Sequence, residues 1–156
     1  MDREELRRRR TTAIQTLESG LVDDALVELK KLKSEAPEDM LTLSYLGLAM
    51  AREGKEPGRA LEACQKAAQI EFFRPECHLN LAKVHLTQGH KPKAVQCVYD
   101  GLTVDMEHEE LLSMAYTMGV RRPPAFKFLP RSHPVNKWFG KFTWWISGGD
   151  RSQPTA

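Results

Sequence analysis

Residues 40–74 read MLTLSYLGLAMAREGKEPGRALEACQKAAQIEFFR, and how this stretch is read decides the fold. Leu43, Leu46, Gly47 and Met50 stand at i, i+3, i+4 and i+7, the stripe of one amphipathic helix. Gly54 and the polar run up to Pro57 interrupt it. Ala60, Leu61, Cys64, Ala67 and Ala68 then lay down a second stripe at the same period. The stretch is two helices joined at a glycine, each with an apolar face that needs a neighbour to cover it.

The same unit recurs on either side. Gly20, Gly54 and Gly89 are 34 and 35 residues apart, and Ala25, Ala60 and Ala94 are 35 and 34 apart. The mismatch locates one inserted residue in the second turn, Gly-Lys-Glu-Pro-Gly-Arg-Ala against Gly-Leu-Val-Asp-Asp-Ala. The third unit repeats the stripes with His78, Leu81, Ala82 and His85, then Ala94, Val95, Val98 and Gly101. Such a period predicts stacked helix pairs in which neighbours bury what one pair leaves exposed. A small residue midway along each first helix (Ala13, Gly47, Ala82) lets the second helix approach. The turn glycine ends the first helix in the left-handed conformation, and Pro57 and Pro92 fall near the start of second helices, where a missing N–H costs little.

With these residues the chain resembles the tetratricopeptide repeat family over residues 6–106. The second unit carries Leu46-Gly47, Gly54, Ala60 and Ala67; the third carries Leu81-Ala82, Gly89 and Ala94; the first carries Ala13, Gly20, Ala25, Leu29 and Pro37. It departs where the family's tryptophan falls on Arg9, Leu43 and His78, and its tyrosine on Thr16, Met50 and His85. The resemblance implies an all-α helix-turn-helix solenoid whose first helices line a groove for peptides or partner helices. Carried over residue by residue, it places Arg10, Tyr45, Leu48, Arg52, Asn80, Lys83 and Thr87 in that groove, with Asn80 matching the asparagine that bonds a ligand backbone. The carboxylate-gripping set of the chaperone-binding subclass is absent, since Ser44-Tyr45 and Glu76 replace members of it.

Beyond the three units, residues 107–119 predict a seventh helix, with acids in its first turn and Gly119 at its end. Residues 121–134 hold Pro123, Pro124, Pro130 and Pro134 and are expected to run extended. Residues 135–146 place Val135, Trp138, Phe139, Phe142, Trp145 and Ile146 on one helical stripe, and residues 147–156 are expected to be disordered. The expected organisation is a solenoid over 1–120, a strap over 121–134, an amphipathic helix over 135–146 and a tail.

The 156 residues are 41% hydrophobic and 28% charged, enough apolar content for one cored domain and too few consecutive apolar residues for a membrane span. Charge is divided unevenly. Residues 1–120 hold 16 basic and 20 acidic residues, a net of −4, whereas residues 121–156 hold 7 basic and 1 acidic, a net of +6. Cys64, Cys77 and Cys97 have no paired spacing and read as reduced thiols in a cytoplasmic compartment. MDREELRRRR lacks the apolar core of a secretory signal.

No nucleophile, phosphate-loop or dinucleotide motif is present, so neither catalytic residues nor a cofactor is expected. The cysteines lack metal-ligand spacing, and Cys64 falls at a core position of the repeat, so no metal site is expected. Arg7–Arg10 lie among Asp2, Glu4, Glu5 and Glu18, which favours charge pairing on a solvated helix face over a nucleic-acid patch.

The leading expectation is a non-enzymatic scaffold or adaptor that binds a protein or peptide. Arg10, Arg52 and Lys83 point to an acidic ligand, with Tyr45 and Leu48 receiving its apolar anchor. Trp138, Phe139, Phe142, Trp144 and Trp145 are expected to serve as a cap of the solenoid or as a docking segment; as a cap, Trp138 and Phe142 bury against helix seven near Leu112 and Tyr116, and Trp144, off the main stripe, is the residue capping explains least. The alternative is a peripheral assembly factor held at the inner face of a membrane by that Trp/Phe/Lys-rich helix. Self-association stays open at this stage.

Overall fold

In the computed structural model, residues 2–119 are described, and they form seven α-helices without a strand among them. These are α1 (Arg3–Glu18), α2 (Val22–Glu35), α3 (Met40–Glu53), α4 (Pro57–Ile70), α5 (Pro75–Thr87), α6 (Lys91–Val104) and α7 (Glu109–Thr117). The expected strap, the helix over 135–146 with Trp138, Phe139, Phe142, Trp144 and Trp145, and the final ten residues lie outside the described residues.

Local chemistry sets the helix ends. Asp2 accepts from the Arg3 N–H at 2.7 Å and Asp39 from the Thr42 N–H at 3.1 Å, satisfying donors that the first turn leaves free. Pro57 and Pro75 open α4 and α5. Gly54 ends α3 at φ +80°, its N–H donating to the Met50 carbonyl at 3.0 Å. Gly20, Gly89 and Gly119 follow the same left-handed device, which a side chain would strain.

Each first helix packs on the second helix of its own unit: α1 on α2, α3 on α4, α5 on α6. Each second helix also packs on the next first helix, and α1, α3 and α5 touch one another in a row. This is the three-unit helix-pair solenoid expected, with α7 taking the place of a fourth first helix. Its core runs along the row through Leu17, Leu29, Leu32, Leu79, Val84, Val98 and Leu111.

Gly47 sits where α3 crosses α4. A Cβ there would lie 2.6 Å from Cys64 Sγ and 2.8 Å from the Ala60 carbonyl oxygen, so only hydrogen fits. Gly101 plays the corresponding part between α6, α5 and α7, where a Cβ would meet Leu111 Cδ1 at 2.7 Å and His78 Cβ at 3.1 Å. His78 and His85, at the family's aromatic positions, are both buried. The His78 ring stands edge-on to Phe72 at 5.4 Å, with Nε2 2.8 Å from the Phe72 carbonyl oxygen.

The three cysteines are free and buried. Burial pushes the Cys64 thiol far above its ordinary range, and raises Cys77 and Cys97 to about 11. They act as small core residues: Cys64 donates to the Ser44 carbonyl at 3.2 Å. No cluster of three or more His, Cys, Asp or Glu side chains poised for a metal occurs among the described residues.

Candidate functional site

Because α1, α3 and α5 lie side by side with the second helices behind them, one face of the solenoid is built from first helices. The residues that the resemblance assigned to an open groove fall on these helices, but most are occupied in joining them. Arg10 on α1 meets Asp39 at the start of α3 at 2.7 Å. Arg52 on α3 donates to the Leu17 carbonyl of α1 at 2.7 Å. Asn80 on α5 donates through Nδ2 to Ser44 Oγ on α3 at 3.1 Å. Lys83 on α5 pairs with Glu110 on α7 at 2.8 Å. Four polar links therefore staple successive first helices across the face.

Arg10, Arg52 and Lys83, expected to await an acidic ligand, each already have one internal acceptor. Leu48 is 2% exposed and belongs to the core, which corrects the expectation of an open apolar contact there. Asn80 is 0% exposed, its amide wedged between α3 and α5. Thr87 is exposed, its hydroxyl donating to the Val84 carbonyl of its own helix at 2.8 Å.

Tyr45, on the middle first helix α3, is half-buried. Its phenol is pushed up to about 12, first by burial and then by the carboxylates of Glu76, Glu110 and Glu18. Lys83 holds the Glu110 carboxyl below its ordinary value by direct hydrogen bonding. Between α5 and α7, Lys83, Leu86, Glu110, Ser113, Met114 and Thr117 line a hollow of about 300 Å³. Asp39 feels burial most strongly, which opposes ionisation; its bonds to Thr42 and Arg10 outweigh that and hold it below the usual aspartate value.

Within the basic run at the start of α1, Arg9 reaches across to α2, bonding Glu28 at 2.6 Å and Glu35 at 2.7 Å. The family's tryptophan position is thus filled by a guanidinium whose charge is met by the facing helix. Glu18 and Asp39 were not singled out for this face in sequence, and Ser44 and Glu76 only as departures from the carboxylate-gripping set; Ser44 and Asn80 stand 36 residues apart, close to one repeat period. A search for polar pairs one period apart on first helices would have found that link.

No protein-family model matches the chain, and no curated protein sequence matches it. Solved structures do. PcrH in complex with the chaperone binding region of PopB is 21% identical at a TM-score of 0.60, over 76% of this chain and 97% of that one. The MamA protein is 19% identical at 0.57, over 96% of this chain and 79% of its own. The K341M mutant of the Thermobaculum terrenum O-GlcNAc transferase is 17% identical at 0.66, and the chain spans only 29% of its length. These are helical-repeat proteins of tetratricopeptide type, and the fold of this chain is of that type. Identities this low carry the fold and leave the partner to be argued from this chain's own residues.

Proposed function

We propose that this chain is a non-enzymatic interaction module, a tetratricopeptide-type adaptor that holds a segment of a partner protein against the face of α1, α3, α5 and α7. One observation carries the reading: successive first helices are stapled across that face around the half-buried Tyr45, which presents a continuous, preorganised surface. Preorganisation lowers the ordering cost of binding, and a central aromatic is the residue type that most often dominates such interfaces. The complex of PcrH with a region of PopB supports the assignment by showing this type of fold bound to part of another protein. The buried free thiols suit a reducing compartment such as the cytoplasm.

The test is partner capture from the source cell with the intact chain, a Tyr45→Ala variant and a Val27→Ser variant. Val27 is exposed on α2, a helix of the outer row. Loss of the partner with Tyr45→Ala and its retention with Val27→Ser would support the face as the site. Equal capture by all three proteins, each checked for helicity by circular dichroism, would refute it.

A further inference from the structure

Each second helix is joined to the next first helix by a four-residue turn. The three turns read Ala36-Pro37-Glu38-Asp39, Glu71-Phe72-Phe73-Arg74 and Asp105-Met106-Glu107-His108. Their third place is glutamate in the outer two and Phe73 in the middle one, where the ring is 86% exposed. Ile70 and Phe72 are exposed on the same turn, and Met106 on the next. The turn does not need a phenylalanine there, since glutamate serves in both equivalents.

The rings are also held in place. Phe72 stands edge-on to the buried His78 at 5.4 Å, and Phe73 edge-on to Phe72 at 5.5 Å. His78 Nε2 lies 2.8 Å from the Phe72 carbonyl oxygen, and the Arg74 N–H donates to the Glu71 carbonyl at 3.0 Å. A fixed aromatic projecting into water, among other apolar side chains, marks an interface. Beside it, Ile70, Phe72, Pro75 and Glu76 line a hollow of about 490 Å³, roomy enough for a phenyl ring. One patch therefore carries both a projecting ring and a recess.

Charge divides across the same patch. On the side of α2, Lys33 and Lys66 are neighbours: the Lys33 ammonium is held below its ordinary value by burial and then by the charge of Lys66, with Glu38 opposing. On the side of α6 and α7 stand Asp105 and Glu107. None of Lys33, Lys66, Asp105 and Glu107 is in an ion pair among the described residues.

We infer that the α4–α5 turn is a self-association surface at which two copies of this chain meet about a two-fold axis. Phe73 of each copy enters the hollow of the other, and the axis lays the Lys33 and Lys66 side of one against the Asp105 and Glu107 side of the other. A two-fold contact needs a patch complementary to itself, and this patch is so in shape and in charge. Anionic lipid headgroups would instead meet Glu38, Asp105 and Glu107. A phenylalanine buries about 150–250 Å², so the exposed side chains of two copies supply on the order of 1,000 Å², the low end for a specific interface. The dimer is accordingly weak, with a Kd of about 10–100 μM.

Sedimentation velocity of the full chain, over a concentration range spanning that Kd, is the test. The parent chain is expected to pass from monomer to dimer. Phe73→Glu, which gives the middle turn the residue of the outer two, should stay monomeric with an unchanged melting temperature, and Phe73→Ser should do the same without added charge. Lys66→Glu or Glu107→Lys alone should weaken the dimer at least about fivefold, and the two together should restore it to within about twofold of the parent. A parent chain that stays monomeric, a dimer that survives Phe73→Glu, assembly that grows past a dimer, or a double variant no tighter than either single would each overturn the inference. Binding of a monomeric parent to vesicles of phosphatidylcholine and phosphatidylglycerol, lost in Phe73→Glu, would overturn it in favour of a lipid surface.

Discussion

Replacing Gly47 by alanine adds one methyl group where α3 crosses α4 with no room for it. The new Cβ would stand 2.8 Å from the Ala60 carbonyl oxygen, 0.6 Å short of the 3.4 Å at which ordinary contact begins. It would also stand 2.6 Å from Cys64 Sγ. The sulfur could rotate aside only by giving up its bond to the Ser44 carbonyl. The Ala60 oxygen is helix backbone and cannot rotate, so α4 must retreat from α3. Overpacking of this kind costs about 1–3 kcal/mol. Alanine's better helix propensity returns about 1 kcal/mol, leaving a net loss of up to about 2 kcal/mol. For a repeat region of this size that lowers the melting temperature by up to about 10 °C. Gly58 supplies the control, because it is helical with nothing within 4 Å of an added Cβ. Gly58→Ala should raise the melting temperature by the propensity gain alone, up to about 1 kcal/mol. Thermal unfolding of the full chain followed by far-ultraviolet circular dichroism reads both. A Gly47→Ala protein melting at or above the parent would refute the crossing described here, as would a Gly58→Ala protein that falls by the same amount.

Gly101→Ala should cost less, about 0.5–1 kcal/mol, because its nearest obstacle is the flexible end of Leu111; faster amide exchange in α7 would report the local loosening. Asp39→Ala removes both the Thr42 cap and the Arg10 pair and should cost about 1–2 kcal/mol near neutral pH by denaturant unfolding. Because the folded Asp39 carboxyl is held below its usual value, its contribution is present above the ordinary carboxylate range and is lost as pH falls through it; the variant should show a shallower acid loss below about pH 5. His85 is shifted down from 6.5, first by burial and then by Lys93 and His90, so the unfolded chain takes up that proton more readily. Stability from this group is therefore complete above about pH 6.5 and declines as pH falls below it, and His85→Leu should remove that slope from unfolding curves.

The repeat was legible because its physics is local. Gly20, Gly54 and Gly89 mark turns by needing a backbone conformation few other residues accept, and the left-handed φ at each follows from that requirement. Gly47 and Ala82 were readable as close-approach positions because smallness at a fixed point of a stripe has one common cause. Gly101 was read only as a stripe member, since the helix it meets lies in the next unit. The face was less legible. Periodicity assigns Arg10, Arg52 and Lys83 to a side of the solenoid but does not say what they bond. Their acceptors lie 29, 35 and 27 residues away, and one of them is a main-chain carbonyl that no side-chain pattern can reveal. Leu48 and Asn80 were assigned to an open groove because the family resemblance fixes direction, whereas burial depends on how closely α3 and α5 pack.

Photo-cross-linking from single positions tests the central claim most directly, because it captures whatever lies against the face, identified or not. Benzoylphenylalanine placed at Tyr45 or Thr87, on the first-helix face, is compared with the same residue at Val27 on α2, each in the full chain irradiated in the source cell. The account predicts a discrete partner adduct from Tyr45 and Thr87 and none from Val27. An adduct formed from Val27 with none from Tyr45 or Thr87 would contradict it.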